Sequence, residues 1–227
     1  MKTTLFCLVL VSCALSASAV DKADLDNRIR TLTDKFDALQ RQPDKAVPAD
    51  TLRKAQGIIL LDRTKAGFIF AYQGGGGVAM VRDTKTGKWS PTAFMKANEA
   101  SLGFQIGGEQ NFFVILLMNT NATRLLLESN FDFGGEARGT AGDNSTGVEG
   151  MVTSTEAAVL VYDDRKGLFG GAAIKGGAVE SDEKANSIYY EESASAKDIL
   201  FHKKVKPTES ATELAAKITE YSKKPKE

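Results

Sequence analysis

The single histidine, His202, stands beside Lys203 and Lys204. A catalytic triad or a zinc site would need that imidazole placed with partners, and there is no second histidine to join it. His202 therefore reads as an exposed residue. Gly74-x-Gly76-x-x-Ala79 satisfies the loosest form of the dinucleotide-binding fingerprint, but Met80-Val81-Arg82-Asp83 and a turn follow it. The helix N-terminus that would hold a pyrophosphate is missing. These glycines read instead as a hairpin or bulge where two backbones approach closely. Gly87-Lys88 lacks both the upstream glycine and the following Ser or Thr of a P-loop. Asp163-Asp164 and the Asp143-Asn144 loop lack the residue order of a calcium loop, leaving room for weak cation binding alone. Glycosidase carboxylates pair in space rather than in sequence, and nothing singles out a pair here. With no nucleophile–base set visible, the expectation is a protein that is not an enzyme and uses no cofactor or resident metal.

Composition narrows the classes further. The chain has 227 residues with 29 basic and 29 acidic side chains, a balance that offers no global pull toward nucleic acid. Its first nineteen residues carry Lys2, an apolar run from Leu5 to Leu15, and Ala17-Ser18-Ala19, the small-residue pattern that signal peptidase accepts. They read as a removed signal peptide, too short and too weakly flanked to span a membrane. A second reading stays open: Leu10-Val11-Ser12-Cys13 resembles a lipobox, in which Cys13 becomes a lipidated N-terminus. Export to the periplasm or cell envelope follows from either. Cleavage after Ala19 removes Lys2 and both cysteines, Cys7 and Cys13. Disulfides, thiolate catalysis and Cys-based metal sites go with them.

The elements that remain must position whatever site exists. From Asp21 to Gln42 the apolar residues Leu25, Ile29, Leu32, Phe36 and Leu39 repeat at a 4-3-4-3 spacing, one stripe of an amphipathic helix that Pro43 ends. That stripe could lie on the domain, pair with its copy in a homodimer, or rest on a membrane surface. Its polar face carries acids as well as bases, which disfavours strong binding to anionic lipid. A short helical piece from Ala49 to Gln56 leads into Gly57–Leu61, a buried strand. Lys65–Tyr72, Val78–Val81, Phe112–Met118, Phe131–Phe133, Ala157–Tyr162 and Leu168–Ile174 read as further strands, with Thr86-Gly87 as a turn. Arg124–Glu128 reads as a short helix, and Ala137–Val148 as a long loop. Ser210 and Glu213 match a capping box ahead of a closing helix with Ala211, Leu214, Ala215, Ile218 and Tyr221 on its apolar face. The fold class is α+β: an antiparallel sheet or barrel-like core of about seven to nine strands, with helices at both ends. The organisation is a signal peptide (1–19), an N-terminal helix and linker (20–47), one domain (48–222) and a basic tail (223–227).

The order of several short motifs resembles the SYLF domain, also called the Ysc-type actin-binding domain. The pieces are Leu52-Arg53-Lys54-Ala55-Gln56-Gly57, Lys65-Ala66-Gly67-Phe68, the Gly74–Gly77 cluster and Gly87-Lys88-Trp89-Ser90-Pro91. Gly103-Phe104-Gln105-Ile106-Gly107, Gly167-Leu168-Phe169-Gly170-Gly171 and Asn186 ahead of Tyr189-Tyr190 complete the series. Each is weak alone, and together they cover Leu52 to Lys217. The resemblance implies binding of phosphoinositides or other anionic phospholipids, with actin filaments as partners of the fungal members. Lipid head groups would be met by Lys and Arg with backbone N–H donors and an apolar side chain able to enter the interface. On that basis the candidates are Arg53, Lys54, Arg63 and Lys65 around the first strands, Arg82, Lys85, Lys88 and Trp89 on the next hairpin, and Phe169. A solvated surface for the cations, and a core or turn role for Trp89 and Phe169, remain the alternative. A structural or assembly protein of the cell envelope, acting through helix-mediated dimerisation or protein partners, is the other function.

Overall fold

Two strands dominated by apolar residues, GIILLD and FFVILL, lie side by side in a computed structural model. It describes residues 20–62, 76–97, 112–129, 131–132, 151–154, 157–164, 167–168 and 178–223. The strands are β1 (Gly57–Asp62), β2 (Gly76–Val81), β3 (Ala93–Ala97), β4 (Phe112–Leu117), β5 (Phe131–Asp132), β6 (Met151–Ser154), β7 (Ala157–Asp163), β8 (Gly167–Leu168) and β9 (Ala178–Ser181). Helices are α1 (Lys22–Gln40), α2 (Ala49–Lys54), α3 (Thr120–Arg124), α4 (Glu183–Tyr190) and α5 (Glu209–Tyr221), with a π turn at Asp198–His202. The strands form one sheet in the order β5-β9-β3-β2-β1-β4-β7-β6, with β8 also on β7. Every pairing is antiparallel.

Antiparallel strands ordinarily alternate apolar and polar residues because one face meets water. Here both faces are covered, which is why β1 is apolar from Gly57 to Leu61 and β4 throughout. Ile58, Leu60, Val114 and Leu116 pack under α1, α2, α4 and α5. Ile59, Leu61, Ile115 and Leu117 pack under α3 and the segment from Ala194 to Val205. Gly77 answers to a close approach: a Cβ there would lie 2.6 Å from the backbone oxygen of Leu60.

The α1 stripe is at most 1% exposed at Leu25, Ile29, Leu32, Phe36 and Leu39. It faces the sheet and α5 of its own chain. The homodimer expected through these five residues is corrected on that ground, since the sheet already takes the surface a second copy would need. Asp21 caps α1 through a reciprocal pair of bonds with Asp24, and the helix ends at Gln40, ahead of Pro43.

Other corrections are local. The short helix expected at Arg124 begins at Thr120, because Asn119 accepts the Ala122 N–H at 2.8 Å. At α5 the cap is Thr208, whose hydroxyl accepts from the Ala211 N–H. Ser210 is instead 1% exposed and bonded to Asp26. The strand expected at Lys65–Tyr72 and the loop at Ala137–Val148 lie outside the described residues. Among the described residues, no helix is long and apolar enough to cross a membrane.

Candidate functional site

β2 and β3 are joined by a hairpin that carries three of the candidate cations, Arg82, Lys85 and Lys88. Arg82 and Trp89 face each other in an isolated antiparallel bridge, and Gly87 takes φ +70°, a conformation L side chains rarely adopt. The Asp83 carboxylate accepts from the Lys85 and Thr86 N–H groups at 2.9 and 2.8 Å. It also receives the Lys203 ammonium at 2.5 Å, from a segment 120 residues away. That ammonium first, and then the two N–H donors, hold the Asp83 carboxyl well below the usual carboxylate range. The tip is therefore tethered, while the side chains of Lys85 and Lys88 stay exposed.

Arg82 sits deeper. Its guanidinium lies 4.6 Å from the centre of the Trp89 ring and donates to the backbone oxygens of Arg53 and Leu52 at 2.6 and 3.4 Å. Those carbonyls end α2, whose C-terminal dipole a cation complements. Burial pushes the Arg82 pKa down, and its Nε, like Trp89 Nε1, is buried without a hydrogen-bond partner. Arg82 thus clamps α2 to the hairpin, and Trp89 is the plate it rests on, packed against the core beneath α1.

Five of the candidate cations therefore gather at one end of the sheet: Arg53 and Lys54 on α2, and Arg82, Lys85 and Lys88 on the hairpin. Arg53 is shared with Asp50 at 2.7 Å. Among the described residues, no ion pair is formed by Lys54, Lys85 or Lys88. Arg63, Lys65 and Phe169 lie outside the described residues. Lys203 is an addition no local motif marks, because its partner Asp83 is remote in sequence. His202 is exposed, as expected, and contacts Asp198 at 3.2 Å. Among the described residues, no group of three or more His, Cys, Asp or Glu side chains could hold a metal ion.

The motif residues near the C-terminal end hold the fold. Asn186 is fully buried and accepts the Phe94 N–H at 2.7 Å. Tyr190 donates to the Thr92 carbonyl at 2.6 Å. Tyr189 meets Asp26, Thr208 and Ser210 at 2.8, 2.8 and 3.0 Å, joining α1, α4 and α5. Burial works to raise the Asp26 pKa, but hydrogen bonds from Ser210, Tyr189 and Arg30 outweigh it and keep the carboxyl low.

The described residues thus form an antiparallel sheet covered on both faces, with a cationic end. Residues 98–221 match the family model described as Ysc84, Las17-binding protein actin regulator, and the chain belongs to that family. It is 33% identical over 171 residues to SH3 domain-containing YSC84-like protein 1 of Xenopus laevis, covering 74% of this chain and 51% of that protein. The human protein of the same name is 32% identical over 170 residues, 74% of this chain and 49% of its own. LAS seventeen-binding protein 3 of Saccharomyces cerevisiae is 32% identical over 161 residues, 69% of this chain and 35% of its own. The chain thus spans about half the length of the animal relatives and less of the yeast one.

Proposed function

We propose that the hairpin end of the sheet docks on anionic phospholipid, and that the protein is a non-enzymatic lipid-binding module of the cell envelope. The observation that carries this reading is the set of exposed lysines at one end, Lys54, Lys85 and Lys88, with Arg53 beside them and no ion pair to the three lysines among the described residues. Arg82 belongs to the support, since its guanidinium is engaged by Trp89 and two carbonyls. Each cation near an anionic surface contributes about 1 kcal/mol. Lys54→Gln, Lys85→Gln and Lys88→Gln together should therefore weaken binding about a hundredfold.

Co-sedimentation with phosphatidylglycerol vesicles at low salt measures this, and salt should release the wild-type chain. No sedimentation at low salt, or a triple variant that sediments like wild type, would sink the reading. Export by the first nineteen residues supplies the setting: the mass of the protein recovered from its cells should correspond to cleavage after Ala19 or to lipidated Cys13, and an intact Met1 terminus would exclude both. A protein partner is the second reading, favoured by the relative named for binding LAS seventeen. The same exposed hairpin would carry it, and retained partner capture by the triple variant would count against it.

A further inference from the structure

A cleft of about 390 Å3 opens where the start of α1, the end of α4 and the segment leading into α5 meet. Its size falls at the low end of the roughly 300–1,000 Å3 typical of small-molecule sites. Tyr189 and Tyr190 line it, their rings 5.1 Å apart and nearly perpendicular. Both hydroxyls are already engaged within the fold, Tyr189 by Asp26, Thr208 and Ser210 and Tyr190 by the Thr92 carbonyl. The tyrosines therefore fix the shape of the cleft, and its polar chemistry belongs to the rim.

That rim is cationic. Lys22, Lys204 and Lys206 line the cleft against one carboxylate, Glu192. Lys206 forms no ion pair among the described residues. Lys22 is paired with Glu191 at 2.6 Å and Lys204 with Asp198 at 2.8 Å, and both lysines are about half exposed or more. Exposed pairs of this kind contribute little and exchange readily. Releasing Lys204 strands no charge, because Asp198 keeps Ser195 and His202.

We propose that this cleft binds a phosphomonoester group. Three lysines from two remote segments line one cleft and suit a compact dianion, whose oxygens can accept from ammonium groups without the planar fork an arginine would bring. The remaining volume holds a glycerol- or sugar-sized substituent against the tyrosines, with Glu192 able to accept from its hydroxyl. None of these lysines belongs to the hairpin surface, so the cleft stands apart from membrane docking. Lys203, which tethers the hairpin through Asp83, is nevertheless the immediate neighbour of Lys204. A phosphomonoester could thus be presented as a lipid head group or arrive as a free metabolite.

Titration calorimetry of the full chain with sn-glycerol 3-phosphate tests the cleft, alongside vesicles of phosphatidic acid and of phosphatidylglycerol matched in charge. Lys204→Gln with Lys206→Gln should weaken glycerol phosphate binding tenfold or more, Glu192→Gln should tighten it, and Lys85→Gln with Lys88→Gln should leave it unchanged. Loss of phosphatidic acid retention in the cleft variant, with phosphatidylglycerol retention intact, assigns the ligand to a head group. Loss of glycerol phosphate binding alone assigns it to a free metabolite. Binding in the absence of any vesicle retention keeps the cleft and removes the docking surface. No binding of glycerol phosphate at millimolar concentration, with phosphatidic acid retention indifferent to the cleft variant, overturns the proposal and leaves the docking reading standing.

Discussion

Tyr189→Phe removes one oxygen from the point where α1, α4 and α5 meet, and the structure sets what that should cost. The side chain is 1% exposed, so its hydroxyl is shielded from water that could replace the lost partners. Of its contacts, the one to the Asp26 carboxylate at 2.8 Å is charge-assisted, and such bonds contribute about 1.5–3 kcal/mol. The partners are not stranded: Asp26 keeps Ser210 at 2.6 Å and Arg30 at 3.0 Å, and Thr208 keeps the Ala211 N–H. The loss should therefore stay near the bond itself, about 2 kcal/mol, without the further penalty of an orphaned buried charge. For a chain of this size that corresponds to a fall in Tm of roughly 4–8 °C. Urea denaturation of the wild type, Tyr189→Phe, Ser210→Ala and the double variant would measure both the loss and the coupling. A single-variant change below about 0.5 kcal/mol, or strictly additive effects, would refute the network as a unit. Glycerol phosphate binding should survive the substitution, because the hydroxyl is turned into the fold.

Two further expectations rest on single contacts. Gly77→Ala sets a methyl 2.6 Å from the Leu60 carbonyl between β1 and β2, where backbone has to move, and should cost about 2 kcal/mol or more. Gly57→Ala meets side-chain carbons of Leu117 and Thr123 at 3.0 and 3.1 Å, which can shift, and should cost less by the same thermal melt. Asp198, drawn down to about 2 by Lys204, Ser195 and His202, contributes stability that is complete above its unfolded pKa of about 3.9 and lost as pH falls toward 2. Asp198→Asn should flatten that part of the acid denaturation curve, and an unchanged slope would contradict the assignment.

Periodicity made α1, β1, β4 and the closing helix legible, because each shows its burial pattern within its own residues. α4 escaped: EKANSIYY mixes polar and aromatic residues, and its signals are the Asp182 cap and bonds to Phe94 and Thr92 that no local spacing announces. The Asn186 and Tyr189-Tyr190 motif was visible as a resemblance, yet its role as a clasp between layers depends on residues about ninety positions away or more. The hairpin cations were readable as residue types and Thr86-Gly87 as a turn. The role of Arg82 was not, since sequence does not tell a guanidinium bonded to carbonyls from one facing water. The rim of the cleft was missed for a similar reason: Lys22 meets Lys204 and Lys206 through tertiary structure alone.

The closure of α1 on α5 also bears on when this chain can fold. Asp37 accepts from Tyr221 at 2.7 Å and Asp26 from Ser210 at 2.6 Å, each across 184 positions. The first of the described helices thus finds part of its cover in the last of them. Until the C-terminal residues emerge, the Leu25–Leu39 stripe has no complete surface to bury against, and such long-range closure makes folding slow. The α1 stripe therefore completes its burial only when α5 packs against it.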